Sequence, residues 1–359
     1  MKVLKFLWFD ILASKARLRL YLWLSLITQI LIVVTGGLVR LTASGLGCPT
    51  WPKCTEESLI TTQEMGFHGI IEFGNRLLTF VLLIISILMF AVAMRLHSQT
   101  KQLLPATWIF FSGVILLVAF IGVNAGFGIS GLVLTGWLVG LLAMVLGGYY
   151  LVRLAKRAER KGILVPAFGL GLGIIVQAVI GGITVLTGLN PWIVGLHFVV
   201  SGVLIATATT MFQRGLPSPV ARKAKLAISL AWPTSVVGTI AVLFGIVVTG
   251  AGPHAGDIDT PRNGLDLEVW QHYHSYPGYL MLALITLQLF SQLRVDRSLS
   301  NPITKTLVLL FVGSVIQAAI GVIQSRLGVP PLLVGAHMLG AAVLISLLAL
   351  QLLRLRDKR

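Results

Sequence analysis

Charge is scarce in this chain, and negative charge is scarcest. Only 11% of its 359 residues are charged, and 12 Asp and Glu stand against 28 Lys and Arg. With 56% hydrophobic residues and a mean hydropathy of +0.91, the composition excludes a soluble globular domain and indicates a polytopic membrane protein. Cysteine is nearly absent too. The two present, Cys48 and Cys54, are spaced poorly for zinc and have no histidine beside them. The first apolar run follows a basic leader and lacks a small-residue cleavage site, so no cleavable signal peptide is expected and the run should remain as the first span.

Apolar stretches long enough to cross a bilayer fall near 21–41, 70–94, 106–124, 131–152, 164–186, 193–212, 226–250, 272–293, 306–327 and 333–353. They predict an all-α fold of about ten transmembrane helices. Basic residues orient them. Lys2, Lys5, Lys15, Arg17 and Arg19 precede the first span, and alternate loops carry Arg95/Lys101, Arg153/Lys156/Arg157/Arg160/Lys161, Arg214/Arg222/Lys223/Lys225, Arg294/Arg297/Lys305 and Arg354/Arg356/Lys358/Arg359. The opposite loops hold few bases and several acids, which places both termini in the cytoplasm of a cell-membrane protein. This bias accounts for the net charge of +16 without a nucleic-acid partner; the partner it implies is the lipid bilayer. The cysteine pair then lies outside, where close cysteines oxidise. A disulfide is expected, serving either as a loop staple or as a redox-active pair.

The chain repeats itself. Gln177-Ala-Val-Ile-Gly-Gly-Ile…Gly188…Pro191…Val194-Gly195-Leu-His197 returns 140 residues later as Gln317-Ala-Ala-Ile-Gly-Val-Ile…Gly328…Pro331…Val334-Gly335-Ala-His337. Each copy reads as helix, turn, and a second helix with a histidine roughly 9 Å below its start. Ile32-Val-Val-Thr-Gly36 likewise recurs as Ile246-Val-Val-Thr-Gly250, at an offset of 214. The difference in offset predicts two four-helix repeats with a helical hairpin, about 102–160, inserted in the first. The halves would be residues 1–215 and 216–359.

Polar residues gather at the outer side. His337 matches the depth of His272 and His274, which open the eighth span, and facing imidazoles in a four-helix unit are what a haem iron takes as axial ligands. His97 and His254 fall in loops and read as solvated. In the second span, His68, Glu72, Asn75 and Arg76 share one helical face. Glu72 and Arg76 at i,i+4 read either as a neutralising ion pair or as a carboxylate near a substrate, with Arg76 and Arg40 as donors to anionic groups such as haem propionates.

These residues resemble the haem A synthase family, whose members convert haem O to haem A. The resemblance rests on Thr35-Gly-Gly-Leu-Val-Arg-Leu-Thr-Ala-Ser-Gly-Leu-Gly-Cys48 with Trp51-Pro-Lys-Cys54, Ile71-Glu-Phe-Gly-Asn-Arg76, Gln177…His197 and Gln317…His337-Met-Leu-Gly-Ala. It implies a cofactor haem b on His274 and His337, a substrate haem with His197 as axial ligand, Glu72 as the catalytic carboxylate, and Cys48/Cys54 as an outer-loop disulfide. The reaction implied is stepwise oxidation of a porphyrin methyl group to an alcohol and then to a hydrate that loses water to give the formyl group. A haem O synthase and a second copy of the chain are candidate partners, and the electron acceptor is unassigned. The chain departs from the family in two respects: Asn75 stands where a second histidine is usual, leaving His68 as a substitute ligand or a coordination position open, and ten helices replace the usual eight. A non-enzymatic di-haem electron carrier is the competing class, and a transporter with repeated halves is a third.

Overall fold

The computed structural model describes residues 14–127, 131–159, 162–217 and 221–356. Lys2, Lys5, Arg160, Lys161, Lys358 and Arg359 lie outside them. Ten long helices follow in order: α1 (Leu18–Leu41), α2 (Gly66–Leu96), α3 (Thr100–Phe127), α4 (Gly131–Ala158), α5 (Leu164–Leu186), α6 (Pro191–Gly215), α7 (Lys225–Ala251), α8 (Leu267–Val295), α9 (Pro302–Arg326) and α10 (Pro331–Arg356). All ten are long and apolar enough to cross a membrane, and no strand occurs among the described residues. The chain is therefore an all-helical, multi-pass membrane protein. In lipid the backbone must satisfy its own hydrogen bonds, which is why each apolar run closes into a helix. Prolines 191, 302 and 331 occupy first helical positions, where no amide donor is missed. Asn190, Asp266 and Asn301 cap α6, α8 and α9 by accepting from backbone N–H groups.

Two compact units divide the chain. Among the described residues, one comprises 14–18, 88–127, 131–159 and 162–168; the other comprises 19–87, 169–217 and 221–356. The smaller unit is built on the α3/α4 hairpin. A Cβ at Gly113 would come within 2.5 Å of the Gly140 carbonyl oxygen, and one at Gly147 within 2.4 Å of the Phe110 nitrogen. Such close backbone approach is the usual way small residues pack helices in lipid.

In the larger unit the contacts close two rings. Thr35 of α1 bonds Asn75 of α2, Ser86 of α2 abuts Gly171 of α5, Gln177 of α5 bonds the His197 carbonyl of α6, and Phe212 of α6 packs edge-on to Trp23 of α1. The second ring runs α7 to α8, α8 to α9, α9 to α10, and α10 back to α7. Its core includes Met281, Ile285, Leu310, Leu344 and Leu348. A polar web of Gln288, Gln351, Thr234 and Ser235 ties α7, α8 and α10 together at depth, with the hydrogen-bonding groups paired as burial requires.

The helix-to-helix turns match in backbone detail. Gly188 and Leu189 have φ of 59° and 58°, and Gly328 and Val329 have 73° and 61°. Leu189 N donates to Thr184 O and Val329 N to Gln324 O, both at 2.8 Å. These are left-handed helix ends, at which a glycine takes the first positive φ without strain. At the same end of this unit, Gly45 N bonds Gly256 O and His254 Nε2 bonds Val329 O. The cysteine loop, both turns and the α7–α8 loop thus gather at one pole, called the outer end below.

Candidate haem site

The three expected histidine ligands, His197, His274 and His337, lie in the outer halves of helices in the larger unit. The His274 and His337 rings stand with centroids 6.2 Å apart at an interplanar angle of 80°. His274 Nδ1 is 2.9 Å from the Ala241 carbonyl of α7; a carbonyl only accepts, so Nδ1 carries the proton and Nε2 is left as the basic nitrogen. The His337 Nδ1 is buried without a partner. Two imidazole–metal bonds of roughly 2 Å each, with about 1 Å more from each nitrogen to its ring centre, separate axial imidazoles by about 6 Å. The pair therefore fits a haem iron. Glycine makes room for each ring: a Cβ at Gly245 would lie 3.0 Å from His274 Cε1, and one at Gly321 would lie 3.2 Å from His337 Cε1. His272, by contrast, is exposed and bonds the Glu268 carbonyl of its own helix.

His197 occupies the matching place in the first ring. Its Nδ1 is buried and unpartnered, and a Cβ at Gly181 would sit 3.4 Å from its Cε1. Gln177 donates to the His197 carbonyl at 3.0 Å and Gln317 to the His337 carbonyl at 2.9 Å. The sequence repeat contained both glutamines without giving them a role. They anchor the histidine-bearing helix one turn from the glycine that accommodates the ring.

Asn75 takes a different course from a ligand. Its Oδ1 accepts from Thr35 Oγ1 at 2.8 Å, tying α2 to α1. His68 is exposed and its Nδ1 pairs with Ser44 Oγ at 2.9 Å.

Glu72 and Arg76 form the ion pair that their spacing allowed, with Arg76 Nη2 at 2.6 Å and Nε at 2.8 Å from Glu72 Oε1. The second carboxylate oxygen accepts from the Cys48 backbone N–H. Arg76 continues into the loop, donating through Nη1 to Thr50 O and Lys53 O and through Nη2 to Cys48 O. All five of its donors thus meet protein acceptors, which makes Arg76 a brace for the loop. The Cys48–Cys54 disulfide closes that loop, and Trp51 at its tip lies against Gly182, where a Cβ would come within 2.4 Å of the indole. One loop therefore connects the buried carboxylate of α2 to the stretch of α5 beside His197.

Arg40 turns away from this carboxylate. Its Nη2 donates to Thr249 O at 3.3 Å and His254 O at 2.6 Å, both in the second half of the chain.

Comparison with known proteins bears on the first part of the chain. Residues 19–129 match the COX15-CtaA family model, described as a cytochrome oxidase assembly protein. The chain is 29% identical over 152 residues to a heme A synthase of Geobacillus thermodenitrificans, covering 40% of this chain and 45% of that protein. It is 28% identical over 156 residues to the heme A synthase of Geobacillus kaustophilus, covering 42% and 46% respectively. Both relatives are named heme A synthases, and the likeness to each covers under half of this chain. The chain spans less than half the length of the curated relatives it matches, and no solved structure matches it. The COX15-CtaA match over residues 19–129 takes in the cysteine loop, Glu72, Asn75 and Arg76; His197, His274 and His337 lie beyond it.

Proposed function

We propose that this chain oxidises a methyl group of haem O to the formyl group of haem A, with haem b as resident cofactor. The observation that carries the reading is the His274/His337 pair, set at axial-ligand separation at the same end of the unit as a buried carboxylate, Glu72. His274 and His337 would hold the haem b, which when bound supplies one-electron redox chemistry. His197 would ligate the substrate iron from the first ring, with Asn75 held by Thr35 as a helix tie.

Glu72 is fixed by Arg76 and the Cys48 N–H, so its negative charge needs no reorganisation during reaction. Placed beside the substrate methyl, a fixed carboxylate stabilises positive charge developing at the carbon being oxidised and accepts the proton it releases. The disulfide-closed loop covers the carboxylate and limits water there, which strengthens both effects. The two rings are proposed as repeats of one ancestral unit, residues 1–215 and 216–359, with the α3/α4 hairpin as the insertion. The basic loops support a topology with both termini in the cytoplasm and the outer end across the membrane.

The test is the pigment. Purified protein should carry a low-spin haem b identified by extraction, and it should lose that haem in His274→Ala and in His337→Ala but keep it in His272→Ala. Glu72→Ala should retain haem b while haem A formation stops. A colourless wild-type protein, or normal haem A output from Glu72→Ala, would overturn the reading.

A further inference from the structure

One pair of arginines at the outer end has no acid to balance it. The guanidinium of Arg40 holds two backbone carbonyls, Thr249 O and His254 O, while its Nε is buried without a hydrogen-bond partner. Arg262, in the α7–α8 loop, donates to Thr260 O and to Pro253 O, and Pro253 adjoins His254, whose carbonyl Arg40 holds. Among the described residues neither Arg40 nor Arg262 forms an ion pair with a carboxylate. Carbonyl oxygens satisfy N–H donors but cancel no net charge, so the half-buried Arg40 guanidinium keeps its charge with a second cation nearby. An anion with oxygens facing both guanidiniums balances that charge and gives the orphaned Nε an acceptor.

Position identifies the anion. Thr249, held by Arg40, is one turn outward of Gly245, the glycine facing the His274 ring. On the other flank Gly37, about one turn inward of Arg40, abuts the side chain of Met338, the neighbour of His337, and Leu41 abuts Gly335. Arg40 therefore stands about one helical turn, roughly 5 Å, toward the outer end from both histidines. We propose that Arg40 and Arg262 form a carboxylate site for the propionates of the haem held between His274 and His337. A helix of the first ring thereby completes the cofactor site of the second. The proposal rests on the haem b reading above and moves Arg40 from the substrate haem, where the sequence put it, to the cofactor haem.

Esterified haem tests it. Full-length protein, depleted of haem and held in detergent micelles, is titrated with haemin and with haemin dimethyl ester, whose propionates carry no charge. Wild-type protein should prefer the free acid by roughly 10- to 100-fold, the range for hydrogen bonds to a charged group. Arg40→Gln and Arg262→Gln should each lose most of that preference while binding the ester as wild-type protein does. Arg262 is exposed and in a loop, so its variant remains informative if Arg40→Gln fails to fold. Equal preference in both variants and wild type overturns the proposal. So does a loss of co-purifying anionic phospholipid with haem preference unchanged, which would assign the arginines to a lipid phosphate. Absence of haem uptake by wild-type protein, unaltered by His337→Ala, overturns the haem b reading itself and the proposal with it.

Discussion

Glu72 and Arg76 should be strongly coupled, and the coupling is measurable without any activity assay. The Glu72 side chain is 7% exposed and that of Arg76 19%. Removing one partner of a buried pair costs about 3–5 kcal/mol because the other charge stays behind unpaired. Arg76→Met leaves the carboxylate with only the Cys48 N–H, so the upper part of that range applies. In Glu72→Ala, Arg76 keeps the carbonyls of Cys48, Thr50 and Lys53 and some water, which lowers the expected loss to about 2–3 kcal/mol. The double variant leaves no stranded charge and should fall short of the summed losses by about 2–3 kcal/mol. Unfolding in mixed micelles with sodium dodecyl sulfate, followed by tryptophan fluorescence, gives all four free energies. Single losses that add within about 0.5 kcal/mol would refute the account of the pair as a brace. Glu72→Gln sharpens the test, since it retains an acceptor for the Cys48 N–H but removes the charge.

Gly245→Ala should perturb the haem b site selectively. The new Cβ meets the His274 ring at 3.0 Å, tighter than ordinary contact, so the ring must move by a few tenths of an ångström against its bond to Ala241 O; the electron paramagnetic resonance g-values should shift, and an unchanged spectrum would show that the ring is not confined there. Cys48 and Cys54 should resist a membrane-impermeant maleimide until reductant is added and then label from outside; labelling only from the cytoplasmic face would reverse the topology. Asn75→His removes the Thr35 tie and offers an imidazole on α2: if that face meets the substrate iron, the substrate haem moves toward six-coordinate low spin, and an unchanged substrate spectrum would show that residue 75 stays turned toward α1.

Much of the site was legible because the repeat preserved residue types whose burial in lipid is otherwise unfavourable. A histidine at the same depth in two copies, each with Gln and Gly at fixed distances upstream, required only helical spacing to be recognised. Glu72 and Arg76 were likewise found by their i,i+4 relation. The destination of Arg76's other donors was not legible, because the carbonyls of residues 48, 50 and 53 carry no side-chain signature. Arg262 was missed for a similar reason: a basic residue in an outer loop has no periodicity, and its meaning comes only from its neighbour.

The sequence by itself determined the solvent, the ten spans and the pairing of histidine contexts, since these follow from hydropathy, length and one-dimensional spacing. It also determined that a glycine precedes each sharp turn at 188 and 328. The tertiary structure decided which helices close into each ring, that Asn75 faces α1, that Arg76 braces the loop, and that Arg40 crosses from the first half to the second. Those are choices between partners far apart in the chain. A guanidinium reaches any carbonyl within its length, and only the packing of the helices determines which carbonyls are there.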